Sequence, residues 1–252
     1  MCSSDLRYET ERARLAPMDK RKRRESIEET QIKLTRALKN DLAANVPYEY
    51  NAARNRRSLY RPYVAKQLHF WSRLNEMLYR LGETFPIGAI NQSILISGHP
   101  GKKPFQSLVT NTPHSYHTLE DTESLPRYRY TKAGERIDNI TDWALNKFFK
   151  QYGKKGVSKD AIFHYVYAVL HDPVYRETYA LNLKREFPRI PFYPDFARWA
   201  AWGEKLMAMH IGYEDVAPWP VERIDTPGKR AAGTHPKPVL RSDPARDRKS
   251  VV

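Results

Sequence analysis

The chain has 252 residues, with 43 Lys and Arg, 29 Asp and Glu, a formal charge of +14 and one cysteine. An apolar content of 40% and an aromatic content of 12% argue against wholesale disorder. One cysteine cannot form a disulfide framework, and the sequence lacks the run of about 18 apolar residues that a membrane span needs. Without a secretory leader, the sequence predicts a cytoplasmic protein, and its charge favours a polyanionic partner.

The positive charge is unevenly distributed. Residues 1–160 carry 29 basic and 18 acidic side chains, residues 161–225 carry 7 and 9, and residues 226–252 carry 7 and 2. A phosphate-binding surface is therefore expected mostly within the first 160 residues. The densest run, Lys20–Arg24, can contact phosphates directly, but such runs more often form a solvated helix face paired with nearby glutamates.

Both ends of the chain have unusual sequences. Residues 1–6 and 247–252 match translations of a common sequencing-library adapter and of its complementary adapter. We therefore expect residues 1–18 to comprise an artefactual start and a disordered N-terminus. Residues 226–252 are rich in Pro, Gly and charge, which predicts a disordered tail, and we expect its end to be artefactual.

Residues 19–137 are predicted to hold a helix followed by a small sheet. The helix is predicted over residues 19–44, where Leu34, Leu38 and Leu42 recur at helical spacing. Within residues 48–86, the spacing of Leu68, Trp71, Leu74 and Leu78 fits a helix, while Leu68–Trp71 alone also fits a strand. Strands are predicted over residues 91–97, 104–110 and 124–130, and Pro126 places the last one near a sheet edge.

Residues 138–225 are predicted to be helical. Four helices are expected to begin at capping residues, which are Thr141, Ser158, Asp172 and Asp195. The fold class is therefore α+β, with a small mixed or antiparallel sheet in the middle followed by a four-helix C-terminal segment. The aromatic residues of these helices have the spacing of a packed core, and we interpret His164 and His171 as packed or hydrogen-bonded histidines.

Three short motifs suggest chemistry that their context does not support. Asn45-Val46-Pro47-Tyr48 resembles the Asn-Pro-Pro-Tyr motif of amino methyltransferases, but it follows a charged helix and has valine in second place. The Gly98–Lys103 stretch lacks the loop length and the hydroxyl residue of a phosphate loop, so we interpret it as a turn. His114 and His117 could form half of a metal site, yet no second ligand cluster has suitable spacing. No catalytic or metal site is predicted.

One long stretch resembles a known family. Its most specific part is Asp160–His171, within the helical residues 141–214, and further matches include Ser58–Tyr63, Arg73–Glu76 and Ile94–Gly98. Over residues 20–225 the chain is similar to the C-terminal specificity region of type ISP restriction-modification enzymes and related helicase–methyltransferase proteins. Beyond residue 225 the sequence offers no such match.

The resemblance implies a module of a longer polypeptide, in which a nuclease and an ATP-driven translocase precede an N6-adenine methyltransferase and a target recognition domain. Residues 19–137 would then be a junction helix and a sheet-containing DNA-recognition part, and residues 138–225 a helical part of the specificity domain. Double-stranded DNA and the other domains of the polypeptide are the implied partners. S-adenosylmethionine, ATP and Mg are implied for the full-length enzyme, and no cofactor is implied for this chain.

Charge and expected loop position, rather than a family motif, select the candidate DNA contacts. Arginine suits guanine and phosphate, lysine suits phosphate, and asparagine or glutamine suits adenine. The candidates are Arg56, Arg57, Lys102, Lys103, Gln106, Asn111, Arg127 and Arg129. Such contacts would align a target adenine for extrusion into the methyltransferase. The alternative is a helical scaffold that docks methyltransferase or translocase domains without touching DNA.

Overall fold

A computed structural model describes residues 3–29, 33–101, 103–217 and 220. The chain divides into Met1–Asp215 and Val216–Val252, and all elements below belong to the first unit. The helices are α1 (Ser3–Leu15), α2 (Lys20–Glu25), α3 (Arg36–Ala43), α4 (Leu81–Thr84), α5 (Asp142–Tyr152), α6 (Lys159–His171), α7 (Pro173–Thr178), α8 (Asn182–Arg185) and α9 (Phe196–Ile211). The strands are β1 (Asn55–Arg61), β2 (Val64–His69), β3 (Ser93–Ser97), β4 (Ser107–Thr110), β5 (Thr122–Pro126), β6 (Tyr128–Tyr130) and β7 (Arg136–Asp138).

The N-terminal segment forms a helix rather than the disordered stretch expected over residues 1–18. Tyr8 and Leu15 of α1 lie seven residues apart on one helical face, and both are buried. They pack against three buried leucines of the following segment, which are Leu34, Leu38 and Leu42. The expectation was wrong for the described residues because this apolar face has a partner far along the sequence. The tail predicted over residues 226–252 lies outside the described residues.

The single helix predicted over residues 19–44 is two helices. Helix α2 ends at Glu25 and contains no buried residue, since its sequence KRKRRE offers no apolar face. Helix α3 restarts at Thr35, whose hydroxyl accepts a hydrogen bond from the Leu38 backbone N–H. Of the periodic leucines that suggested one long helix, Leu38 and Leu42 lie in α3, whereas Leu34 lies just before it.

A β-hairpin decides between the two alternatives for Leu68–Leu78, since Leu68 lies in strand β2 and residues 70–78 are not helical. Strands β1 and β2 pair antiparallel, with Arg57 opposite Gln67 and Leu59 opposite Ala65. The register shifts between Leu59 and Arg61, which leaves Tyr60 as a bulge. Residues 55–69, which we call the basic hairpin, carry four Lys or Arg and no Asp or Glu.

The central sheet is antiparallel, in the order β4-β3-β5. Ile94 of β3 pairs with Val109 of β4 on one side and with Leu125 of β5 on the other. Strand β5 is an edge strand, as Pro126 predicted. The strand predicted over residues 124–130 breaks at Arg127, after which β6 pairs with β7 in a separate sheet.

Strand β3 is buried on both faces, and this arranges the molecule in layers. Ile94 and Ile96 belong to the large core that the helices cover. Leu95, between them, points to the opposite face and joins Leu59 of the basic hairpin in a second core. The central sheet therefore lies between the helical segment and the hairpin. With helices packed on one face of an antiparallel sheet, the α+β class is confirmed.

The helical segment begins where the capping residues predict. Thr141, Ser158, Asp172 and Asp195 each accept a hydrogen bond from a backbone N–H of the helix that follows. Gly153 ends α5 with a φ of 80°, a conformation that favours glycine. The third predicted helix is divided into α7 and α8 after Thr178 and Tyr179, which are weak helix formers.

Helices α6 and α9 approach so closely that a glycine is required at their contact. A Cβ atom on Gly203 would lie 1.8 Å from the backbone oxygen of His164. The close contact buries Tyr165, Tyr167 and Met207. Of the aromatic residues predicted to form the core, Phe163, Tyr167, Tyr175 and Phe196 are buried, whereas Tyr179, Phe187, Phe192 and Trp202 are exposed.

Candidate nucleic-acid interface

The exposed face of the basic hairpin combines two cations with an aromatic ring. The guanidinium of Arg61 lies 4.3 Å from the centroid of the Tyr60 ring, and the Lys66 ammonium lies 3.9 Å from it. Neither cation pairs with a carboxylate among the residues described. Tyr60 itself is 40% exposed. Arg61 also donates a hydrogen bond from Nη1 to the Tyr60 backbone oxygen at 3.0 Å. These contacts preorganise the two positive charges and leave the other N–H groups available to phosphate oxygens.

The hairpin is held against the rest of the fold at its turn. Tyr63 occupies the left-handed region with a φ of 57°. Its ring makes edge contacts with His210 of α9 and with Tyr213, which follows that helix. Burial raises the pKa of the Tyr63 hydroxyl. Arg57 adds an ion pair with Glu214 at 2.5 Å. The cations of the hairpin are therefore carried on a fixed element rather than on a free loop.

Arg127, one of the predicted DNA contacts, is instead a buried structural residue. Its side chain is 7% exposed, and it contacts Asp138 at 2.8 Å and Asp160 at 2.6 Å. Burial by itself lowers the pKa of Arg127, but the hydrogen bonds to the two carboxylates outweigh it, so the pKa is raised. Arg127 was expected at an exposed loop position, whereas the break between β5 and β6 turns it towards Asp160 of α6.

Two further predicted arginines are turned inwards. Arg56 donates a hydrogen bond to the backbone oxygen of Phe85 and lies over the Phe70 ring, and burial lowers its pKa. The Nε atom of Arg129 is buried without a hydrogen-bond partner among the described residues. These positions differ from the exposed loop positions that the sequence suggested.

The other predicted contacts are more accessible. Arg57 and Lys103 are exposed but paired, Arg57 with Glu214 and Lys103 with Glu120 at 2.7 Å. Asn111 is exposed and lines a cleft together with Arg57, while Gln106 is half-buried at the start of β4. Lys102 lies outside the described residues. The structure therefore brings Arg57 and Asn111 together and leaves Lys103 elsewhere.

Tyr60, Arg61 and Lys66 were not among the contacts predicted from the sequence. The signal present was a run of β-forming residues on both sides of Pro62-Tyr63, a pair that suits a turn. The competing helical spacing of Leu68, Trp71 and Leu74 obscured it. The bulge that presents Tyr60 depends on the register of two strands, which the sequence pattern does not show.

The Gly98–Lys103 stretch does not fit a nucleotide phosphate. The Gly101 backbone N–H donates to the Lys184 oxygen at 2.8 Å, so it is already used. A Cβ atom on Gly98 would lie 2.1 Å from the Asp121 backbone oxygen, which shows that this glycine is needed for close packing.

Across the parts of the chain that the structure describes, no group of three or more His, Cys, Asp or Glu residues could hold a metal ion. Nor does any described helix have the length and apolar character that crossing a bilayer requires.

Comparison with known proteins identifies the family. The model of the type ISP C-terminal specificity domain matches residues 5–252, so the chain belongs to this family. The match includes the tail for which the sequence pattern offered no assignment. No curated protein matches the chain.

Solved structures of larger proteins share the fold. A cryo-EM structure of a DrdV–DNA complex is 46% identical with a TM-score of 0.80, and the match covers 91% of this chain and 22% of that one. A nuclease-deletion mutant of the type ISP restriction-modification enzyme LlaGI, in complex with a DNA substrate mimic, is 29% identical with a TM-score of 0.68, covering 86% and 20%. The ATP-dependent type ISP enzyme LlaBIII bound to DNA, at 23% identity and a TM-score of 0.64, covers 76% and 13% and supports the fold alone. The chain thus spans about a fifth of the length of the first two.

Proposed function

We propose that this chain is the DNA target-recognition module of a longer restriction-modification polypeptide and that the basic hairpin contacts the DNA backbone. The observation that carries the proposal is a pair of cations, the half-buried Arg61 and the exposed Lys66, which are fixed around the Tyr60 ring without a carboxylate partner in the described part of the chain. Duplex DNA binds such cations through its phosphates, which position a protein on the helix. Membership of the specificity-domain family supports this role.

Recognition of bases would come from polar side chains near the hairpin. Asn111 is exposed beside Arg57, and an asparagine amide can pair with the major-groove edge of adenine. In the longer polypeptide this contact would position a target adenine for N6-methylation by another domain. In this proposal the chain itself has no catalytic role. The proposal also places the protein in the cytoplasm. S-adenosylmethionine, ATP and Mg would serve the other domains.

The proposal is tested by measuring duplex DNA affinity as a function of salt concentration. The variant is Arg61→Gln with Lys66→Gln, and the matched control is Lys154→Gln with Lys155→Gln, two exposed lysines after α5. Each phosphate contact contributes about 0.9 to the slope of log affinity against log salt. We therefore expect the hairpin variant to reduce the slope by about two and the control to leave it unchanged.

Two results would contradict the proposal. A salt-independent affinity would show that phosphates do not drive binding. An equal loss of slope in the hairpin variant and in the control would show that charge anywhere on the surface suffices. Circular dichroism of each variant checks that the fold is retained.

A second candidate function, docking of other domains, is favoured by exposed apolar side chains on the helical segment. Trp143 is 71% exposed and Leu181 69% exposed, which is unusual for residues of this size. These side chains lie on the helical segment, which the central sheet separates from the hairpin core. A chain that docks domains without touching DNA would show no duplex affinity at low salt, so the same titration separates the two candidates.

A further inference from the structure

A cavity of about 490 Å³ opens between α4, the loop before Tyr116 and strand β5. Its walls include Tyr79, His114, Tyr116, Ser124 and Arg129. Cavities of this volume, with mostly apolar walls and a few polar groups, are typical of small-molecule sites. Nothing in the proposed role of the basic hairpin uses this cavity, which we call the His114 cavity.

Two of its lining residues carry buried nitrogen atoms without partners. The Nε2 atom of His114 and the Nε atom of Arg129 make no hydrogen bond among the described residues. Buried polar groups are nearly always paired, so two unpaired groups around one cavity indicate an occupant. The other polar side chains are satisfied, since Ser124 bonds to Ser93 at 2.7 Å and Asn139 donates to Pro126.

The two unpaired atoms have complementary hydrogen-bonding roles. The Nδ1 atom of His114 lies 3.1 Å from the Ser115 backbone oxygen, which only an N–H donor can satisfy. Burial lowers the pKa of His114, so the ring is neutral and its Nε2 atom accepts. The Nε–H of Arg129 donates. One buried acceptor and one buried donor match the edge of a nucleobase, since every base offers both kinds of group.

The aromatic side chains of the cavity favour a base as its occupant. Arg80 and Glu83, which both line the cavity, form an ion pair at 2.8 Å and so offset each other's charge. At the open side, the exposed rings of Tyr79 and Tyr116 lie 6.2 Å apart and tilted at 36°. Aromatic side chains at such positions stack on bases irrespective of sequence.

The loop that carries Tyr79 is strained. Met77 and Tyr79 both lie in the left-handed region, with φ values of 56° and 45°, and both side chains are largely exposed. A non-glycine residue in this conformation costs free energy, and such residues are concentrated at ligand clamps and active sites. The strain therefore coincides with the mouth of the His114 cavity.

We propose that the His114 cavity receives a single nucleobase that has left the DNA helix. The inference rests on the proposed function, because it assumes that duplex DNA reaches this module. Tyr79 and Tyr116 would stack on the base, and His114 with Arg129 would pair with its edge. Extrusion costs least for a base that has no pairing partner. A duplex with one unpaired base is therefore a suitable probe, and its design needs no knowledge of the target sequence.

The experiment compares the affinity of the 252-residue chain for three duplexes at one salt concentration. The first is fully paired, the second carries one bulged 2-aminopurine nucleotide, and the third carries a bulged abasic nucleotide with the same phosphates. We expect the bulged base to bind about tenfold more tightly than the abasic bulge, as stacking on one aromatic side chain typically gives. The 2-aminopurine fluorescence should change on binding.

Variants assign the effect to the cavity. Tyr79→Ala, at a side chain that is 73% exposed, should remove most of the preference and leave the affinity for paired duplex unchanged. Arg129→Met should do the same, while Tyr179→Ala, which removes a ring outside the cavity, should keep the preference.

The outcomes separate this inference from the proposed function. The inference is overturned if the two bulged duplexes bind with equal affinity, or if the preference for the bulged base persists in both cavity variants. In either case, binding to the paired duplex still supports the proposed function. Absence of binding to all three duplexes overturns both.

Discussion

Gly203→Ala tests whether the contact between α6 and α9 determines the stability of the fold. The added Cβ atom would lie 1.8 Å from the His164 oxygen and 2.6 Å from its carbonyl carbon, whereas an ordinary contact is at least 3.4 Å. The obstacle is backbone, so a rotamer change cannot relieve it. The two helices must separate, and the separation loosens the packing of Ala200 and Met207.

The magnitude follows from two opposing contributions. Overpacking of a well-packed core costs up to about 3 kcal/mol, and a backbone obstacle favours the upper end. Replacing glycine by alanine in a helix recovers about 1 kcal/mol of helix propensity. The expected loss in the free energy of unfolding is therefore about 2 kcal/mol, which corresponds to a fall in Tm of about 4–8 °C for a chain of this size.

The assay is urea and thermal unfolding followed by circular dichroism, with Gly82→Ala as the matched control. Gly82 lies in helix α4, and a Cβ atom there would meet nothing within 4 Å. The control should be as stable as the parent or slightly more stable. If Gly203→Ala unfolded at the same denaturant concentration as the parent, the close approach of the two helices would be refuted.

Two further predictions concern buried ionisable groups. Arg127→Met should cost about 1–3 kcal/mol, less than a fully buried pair, because Asp138 and Asp160 remain 41% and 61% exposed. The Arg127→Met substitution should not change the slope of log affinity for DNA against log salt, whereas a fall of about one in that slope would show that Arg127 contacts a phosphate. The control for stability is Arg136→Met, at an exposed arginine. Stability should also depend on pH, because burial lowers the pKa of four histidines below the ordinary 6.5. These are His114, His164, His171 and His210. The unfolded chain then binds more protons below about pH 6.5, so the urea midpoint should fall between about pH 7 and pH 5, and a flat profile would contradict the assignment.

Part of the candidate site was foreseeable from the sequence, and part was not. The concentration of positive charge in residues 1–160 and the matches around Ser58–Tyr63 both indicated the region of the basic hairpin. Which arginines are exposed could not be predicted, because charge does not reveal burial. Arg127 follows Pro126 at a break between two strands, and its two carboxylate partners lie 11 and 33 residues away.

The sequence by itself determined the local features of this protein. The starts of the last helices follow from Thr141, Ser158, Asp172 and Asp195, because a capping side chain bonds to a backbone N–H only two or three residues away. The tertiary structure alone decided the helix over residues 3–15, the inward turn of Arg127 and the unpaired nitrogens of the His114 cavity. The first depends on leucines of the α3 segment, and the second on Asp138 and Asp160. Neighbours so distant in sequence meet only when the whole chain folds.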